Sequence, residues 1–277
     1  MKITKAIIPV AGWGTRRLPI TKAIEKCMLP VGNRPIVDYV VQDCIAAGIT
    51  DIYFIVSEGS SQLQAYYEEN TVLNSYLIKN NKADKLSLIG SPEHISFHYL
   101  TQPLEGKYGT AIPVSLAVSY LNEGESAVVL MGDDFIYNQD GTSEVKQLLN
   151  IAGEDGNSML GVVIPQEDVS RYGVIELNDT NDFVRIVEKP SLEEAPSTLI
   201  NVSKYVLNYD VLQMVVEYAD EEVAGEYYIT EPINRYVQKG GTLKVVPANG
   251  EYLDGGSVEG WLHANQVVIN GGRVASL

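Results

Sequence analysis

The stretch Ala11-Gly-Trp-Gly-Thr-Arg16 directly follows an apolar run, Ala6-Ile-Ile-Pro-Val10, and precedes Lys26 in Glu25-Lys-Cys-Met-Leu-Pro30 by ten residues. The run reads as a first buried strand, so the glycine loop opens where α/β sheets hold their ligands. Gly12 and Gly14 lack Cβ atoms and let backbone N–H groups turn toward an anion. Arg16 and Lys26 add positive charge, and together these features predict a phosphate site. Two familiar glycine-loop chemistries fail on residues. A dinucleotide fingerprint needs a third glycine at position 17, which is Arg17, and Pro19 interrupts an immediate long helix. A phosphate-binding loop of the NTPase type needs Gly-Lys-Ser/Thr, and that string does not occur.

Outward from the loop, 35–47 reads as a helix, with Ile36, Val37, Val40, Val41, Cys44 and Ile45 at three- and four-residue intervals and Gly48 as a stop. A second strand at 52–56 completes a βαβ unit, and further strands are expected at 95–100 and 126–131 around a helix at 112–121. The segment 60–79 carries helical spacing, and 80–92 reads as a loop. Strand patterns crowd into 159–164, 174–177, 184–187 and 199–206, predicting a strand-rich subregion. Helices at 211–218, 230–239 and 257–267 and a strand at 243–247 close the pattern. No repeat or linker divides the chain, so a single domain over 1–277 is expected.

Composition narrows the function class. The 277 residues are 45% hydrophobic and 20% charged, ordinary values for a globular chain, and no apolar run approaches membrane-spanning length. The start Met1-Lys-Ile-Thr-Lys runs straight into the first strand and leaves no room for a signal peptide, so a cytoplasmic protein is expected. Two cysteines, Cys27 and Cys44, support neither a disulfide framework nor a cysteine metal site. A formal charge of −16 argues against nucleic acid as a partner. In so acidic a chain, the cluster of Arg16, Arg17, Lys22 and Lys26 predicts a local anion, approached with a divalent cation. His94, His98 and His263 show no triad or zinc spacing.

The string 6–16, with Leu18-Pro, Thr21-Lys-Ala-Ile24, Lys26, Met28-Leu-Pro30 and Pro35, resembles the sugar nucleotidyltransferases, and within them the bacterial uridylyltransferases acting on glucose 1-phosphate; the likeness runs beyond residue 260. The resemblance implies a Rossmann-like α/β fold with a mixed, mostly parallel central sheet flanked by helices. It implies a nucleotide-binding part over about 1–135 and a sugar-phosphate part over about 136–277. The implied reaction joins UTP and a hexose 1-phosphate, with Mg²⁺, into a nucleotide sugar and pyrophosphate.

By the same resemblance Ala11, Gly12, Gly14, Thr15 and Arg16 cradle the triphosphate, and Lys26 holds the reacting phosphates. Such a transfer needs positioning and charge neutralisation and no protein nucleophile. Asp133, at the end of a strand, and Asp254, in Tyr252-Leu-Asp-Gly-Gly-Ser257, match the family's two metal ligands; hard Mg²⁺ takes one or two carboxylates with substrate phosphates. Gln102 and Gly109 match the base contacts, the primary amide offering both donor and acceptor to an imide edge. Gln102 does not separate uracil from thymine, so dTTP stays open. Gly173, Glu188, Lys189 and Asn201 match the sugar-phosphate side.

The acceptor pocket departs from the pattern. Ser203 stands where glucose-specific relatives have glycine, and Asn201 and Gly225-Glu-Tyr-Tyr-Ile-Thr230 resemble enzymes acting on N-acetylglucosamine 1-phosphate. Glucose 1-phosphate is the expected substrate, with the acetamido sugar as the alternative and a non-catalytic nucleotide-sugar-binding regulator as the reading from another class. A homo-oligomer is compatible with the sequence.

Overall fold

A computed structural model describes residues 2–271. The expected apolar segments form the framework: β1 (Lys5–Pro9), β4 (Asp51–Ser57), β5 (Ser96–Gln102) and β6 (Ala127–Leu130) pair in parallel in the order β6-β1-β4-β5. Between them lie the small strands β2 (Pro30–Val31) and β3 (Arg34–Pro35) and the helices α1 (Ile36–Ala47), α2 (Gln62–Tyr67), α3 (Thr71–Lys79) and α4 (Ala111–Val118). The expected helix over 60–79 is thus two helices, and the loop at 80–92 contains a 3-10 turn over Ala83–Leu88.

After β7 (Asp134–Tyr137), α5 (Glu144–Ala152) and β8 (Ser158–Val163) come β9 (Gly173–Leu177), β10 (Phe183–Glu188) and β11 (Leu199–Leu207). The chain ends its described part with α6 (Tyr209–Asp220), α7 (Thr230–Gln238), β12 (Lys244–Pro247), β13 (Glu251–Asp254) and α8 (Val258–Gly271). One nine-stranded mixed sheet results, parallel in the nucleotide half and largely antiparallel where β11 joins β6, β8 and β9. β11 is the seam between the two halves.

Both faces of the sheet are buried, which is why its strands read as continuous apolar runs. Ala6, Ile8, Ile52, Phe54, Val128 and Leu130 face α1, α5 and α8. Their neighbours Ile7, Tyr53, Ile55, Ala127 and Val129 face α4, α6 and α7 on the other side. Each fully buried aliphatic side chain contributes about 1.5–3 kcal/mol. The expectations missed α5, β7 and β13. The last two form a separate antiparallel ribbon in which Asp134 lies opposite Asp254.

Candidate active site

The carboxyl ends of β1, β4, β5 and β6 open on one cleft of about 570 Å³, whose wall includes Val10, Ser57, Gln102 and Gly132. Ligands of α/β sheets bind at this edge. The cleft brings together Ala11, Gly12, Arg16, Lys26, Gln102, Gly109 and Asp133 from the first half of the chain with Gly173, Glu188, Lys189, Asn201 and Asp254 from the second. Of the predicted site residues, Gly14 and Thr15 stand outside its lining. Gly14 has φ +62°, and an added Cβ would meet Lys26 Cβ at 3.1 Å, so glycine here lets the loop turn and Lys26 come close. The Gly14 carbonyl accepts from Thr21 Oγ1 at 2.9 Å and closes the turn.

The four clustered cations separate once folded. Arg16 and Lys26 line the cleft, whereas Lys22 is exposed outside it. Arg17 turns inward and is 3% exposed, with Nε and Nη2 unpartnered. Burial lowers its pKa, while Asp133 and Asp254 nearby act in the opposite direction. The expectation that all four cations share one site is therefore corrected: Arg16 and Lys26 line the cleft, Arg17 is buried near Asp133 and Asp254, and Lys22 is exposed outside it.

Lys26 Nζ forms a direct ion pair with Asp133 Oδ2. Burial alone would raise the Asp133 carboxyl, but Lys26, with Lys204 behind it, prevails and holds it below the ordinary carboxylate range. Its neighbour Asp134 differs. Burial pushes that carboxyl up to about 6 against the opposing pull of Lys204, and Lys204 and the Tyr252 hydroxyl, at 3.1 Å, both donate to it. Asp134 is thus tied up by Lys204 and Tyr252, whereas Asp133 is held ionised to lower pH beside Lys26.

Asp254 Oδ1 accepts from the Gly256 N–H at 2.6 Å, and Oδ2 lies 3.3 Å from the Tyr172 hydroxyl and 3.6 Å from Arg171 Nη2. Among the described residues no group of three or more metal-ligating side chains forms a closed cage. Asp133 and Asp254 offer this cleft carboxylate oxygens, a donor set that fits a hard cation completing its shell with phosphate oxygens and water.

At the cleft wall, Gly109 has φ +120°, and a Cβ there would lie 2.4 Å from Tyr227 N. The close approach is backbone to backbone: Tyr227 N donates to Tyr108 O at 2.9 Å, and Ala111 N to Tyr227 O at 2.9 Å. Glycine is required here to dock the 225–230 segment against the loop around Gly109. In the second half of the chain, Thr230 Oγ1 donates to Glu188 Oε1 at 2.7 Å. Lys189 has φ +45° and reaches the Tyr228 hydroxyl at 2.9 Å and Glu226 at 3.5 Å. The Tyr228 hydrogen bond raises the Lys189 pKa, keeping the ammonium charged. Asn201 lies opposite Gly173 across β11 and β9.

Sequence reasoning missed Arg171, and it quoted Tyr228 and Thr230 only within the string 225–230. Each works through a partner distant in the chain, and single-chain spacing carries no such signal.

A cleft at the carboxyl edge of an α/β sheet, lined by Arg16, Lys26, Asp133, Glu188, Lys189 and Asp254, defines a candidate site for an anionic ligand. Residues 5–271 match the family described as nucleotidyl transferase, and the chain belongs to that family. It is 36% identical, over 95% of its length and 92% of the relative's, to a Methanocaldococcus jannaschii protein provisionally named UTP–glucose-1-phosphate uridylyltransferase. It is 32% identical to the UTP–glucose-1-phosphate uridylyltransferase of Pseudomonas aeruginosa, covering 95% of this chain and 94% of that one. Among solved structures, a UTP-bound UGPase from Acinetobacter baumannii superposes with a TM-score of 0.85 at 27% identity, covering 96% of this chain and 93% of that one.

Proposed function

We propose that the protein transfers a uridylyl group from UTP to glucose 1-phosphate, giving UDP-glucose and pyrophosphate. One observation carries the reading: phosphate-directed Arg16 and Lys26, the acids Asp133 and Asp254, and the sugar-side Glu188 and Lys189 share a single cleft. The names of the relatives point to the same reaction. The polypeptide divides its work near residue 135, with the triphosphate and base held mainly by the earlier part and the sugar phosphate by the later. Asp254 crosses that division through the pairing of β13 with β7.

In this reading a phosphate oxygen of the sugar phosphate attacks the α-phosphorus of UTP in line. A new phosphorus–oxygen bond forms as the bond to the departing pyrophosphate breaks. Arg16 and Lys26 neutralise charge that builds on the phosphate oxygens, in a site where such contacts are worth more than in water. Lys189, steadied by Tyr228, pairs with the attacking phosphate, and Glu188, steadied by Thr230, accepts hydrogen bonds from sugar hydroxyls. Gln102 addresses the imide edge of the base. Asp133 and Asp254 would hold Mg²⁺, which supplies charge neutralisation to the triphosphate when bound.

Mixing the protein with UTP, glucose 1-phosphate and Mg²⁺ is expected to release pyrophosphate and form UDP-glucose in equal amounts. Release that continues without the sugar phosphate, or none with it, overturns the reading.

A further inference from the structure

Lys26 leaves the chain from a segment with little regular structure of its own. Thr15–Arg17, Ile20–Lys22 and Lys26–Met28 are 3-10 turns of three residues each, and the backbone bonds among them are local, such as Ile24 N to Ile20 O at 3.1 Å and Met28 N to Glu25 O at 2.8 Å. Turns this short have poor hydrogen-bond geometry and do not fix a side chain by themselves. The residue before the lysine supplies an anchor. Glu25 Oε1 accepts from Ser61 N and from Gln62 N, both at 2.9 Å, and Oε2 accepts from the Ser60 hydroxyl at 2.7 Å. Gln62 returns the contact: its Oε1 accepts from Glu25 N at 3.0 Å, and its Nε2 donates to Ala23 O at 2.7 Å.

Ser61, the residue at the N-cap of α2, makes no side-chain cap of its own, and the Glu25 carboxylate takes that role from 37 positions away in sequence. The element it grips is itself fixed, because Leu63 of α2 is fully buried in the core and β4, which leads into this turn, ends at Ser57 on the cleft wall. Glu25 and Gln62 stand outside the cleft lining, whereas Lys26 is part of it. A lysine has a long flexible stem, so where its ammonium goes depends on where its backbone is held. Resting on the uridylyltransferase reading, we infer that Glu25 is a positioning residue for the transfer: with Gln62 it locks the turn that carries Lys26 onto the junction of β4 and α2, and so keeps the ammonium beside Asp133, where the reacting phosphates arrive. Glu25 touches no reacting atom and acts through Lys26.

The test measures kcat, the KM for each substrate and the urea midpoint for the parent, Glu25→Ala, Glu25→Gln, Gln62→Ala and Lys26→Ala, and for Glu25→Ala and Gln62→Ala each combined with Lys26→Ala. Glu25→Ala should lower kcat by about tenfold or more, since a displacement of about 1 Å in a reacting group can cost on the order of a hundredfold. The KM for glucose 1-phosphate should stay within about twofold of the parent, because the sugar side is untouched. In the Lys26→Ala background the same change should alter kcat by less than about twofold, because the group it aims is gone. Glu25→Gln keeps an oxygen for the two backbone N–H groups and should hold kcat within about threefold of the parent.

Gln62→Ala removes the returning bonds and leaves the carboxylate in place, so it should show the same dependence on Lys26 with a smaller loss, and it decides the matter if Glu25→Ala does not fold. An equal fractional loss of kcat with and without Lys26 overturns the inference and makes the joint merely structural. So does a lowered urea midpoint with unchanged kcat in both alanine variants. A loss in Glu25→Gln as large as in Glu25→Ala overturns the anchoring by hydrogen bonds. No pyrophosphate release by the parent with any sugar phosphate overturns the transferase reading, and this inference with it.

Discussion

Lys26 is aimed before any ligand arrives, because its ion pair with Asp133 fixes the ammonium at the floor of the cleft. Removing a preorganised phosphate contact costs on the order of a hundredfold or more in turnover. Lys26→Ala should therefore lose about that much kcat in a pyrophosphate-release assay while its circular dichroism spectrum stays that of the parent. Glu188 gives a pH signature. Its carboxyl is raised above 4.5 chiefly by burial, with Thr230 and Lys189 opposing. The folded protein thus holds this proton more tightly than the unfolded chain, so protonated Glu188 adds stability at low pH that is lost as pH rises through the raised value. In the proposed site binding runs the other way, because the ionised carboxylate accepts hydrogen bonds from sugar hydroxyls more strongly than the protonated acid. The KM for glucose 1-phosphate should climb on acidification, starting above the usual carboxylate range, and this part of the profile should vanish in Glu188→Gln. At this scale the sequence named Lys26 and Asp133 through their motifs, yet it could not tell Arg16 from Arg17. Adjacent arginines look alike until the backbone turn sends one to the cleft and the other under it.

The elements that carry the site are joined by a few specific contacts. Gly109 lets the base loop lie against the backbone of Tyr227. Gly109→Ala should destabilise the fold by about 1–3 kcal/mol and raise KM for both substrates, read by urea denaturation and initial rates. A second joint links α1 to α5, where Asp43 Oδ1 accepts from the Ser143 hydroxyl at 2.5 Å and from Val145 N at 3.3 Å. Burial raises the Asp43 carboxyl above 3.8 even though these donors oppose it. The folded state therefore binds the proton more tightly, and stability falls as pH rises from 3.8 through the raised value. Asp43→Asn should flatten that slope in urea midpoints taken from roughly pH 4 to pH 7. The long strands and α1 were legible because burial on one or two faces imposes a regular period. β7 and β13 are four residues each, too short to show a period. α5 carries Val145, Leu148, Leu149 and Ala152 at helical spacing behind its Ser143 N-cap, so this helix was legible in the sequence although the expectations above leave it out.

For the molecule as a whole, a ligand held only by the folded state should raise its stability. UTP at a hundred times its dissociation constant should add about 2.7 kcal/mol, visible as a melting shift of several degrees. Both thiols are buried, Cys27 at the cleft and Cys44 in the core, and burial raises the pKa of each. A thiol reagent at neutral pH should label neither in the native protein, and labelling should follow unfolding in urea. Rapid labelling of the native protein would contradict this burial. Among the described residues no helix is long and apolar enough to cross a membrane.

By itself the sequence determined the alternating α/β plan, the glycine loop that opens after the first strand, and the family. Those properties rest on local periodicity and on side-chain types at short, fixed spacings. Only the tertiary structure decided that β13 pairs with β7 and sets Asp254 opposite Asp134, that Thr230 and Tyr228 hydrogen-bond Glu188 and Lys189, that Arg17 is buried, and that Asn201 spends its amide on Ser203 and Tyr205. Each of these depends on groups brought together by strand pairing and loop docking. Their free energies come from partners that spacing along the chain does not reveal.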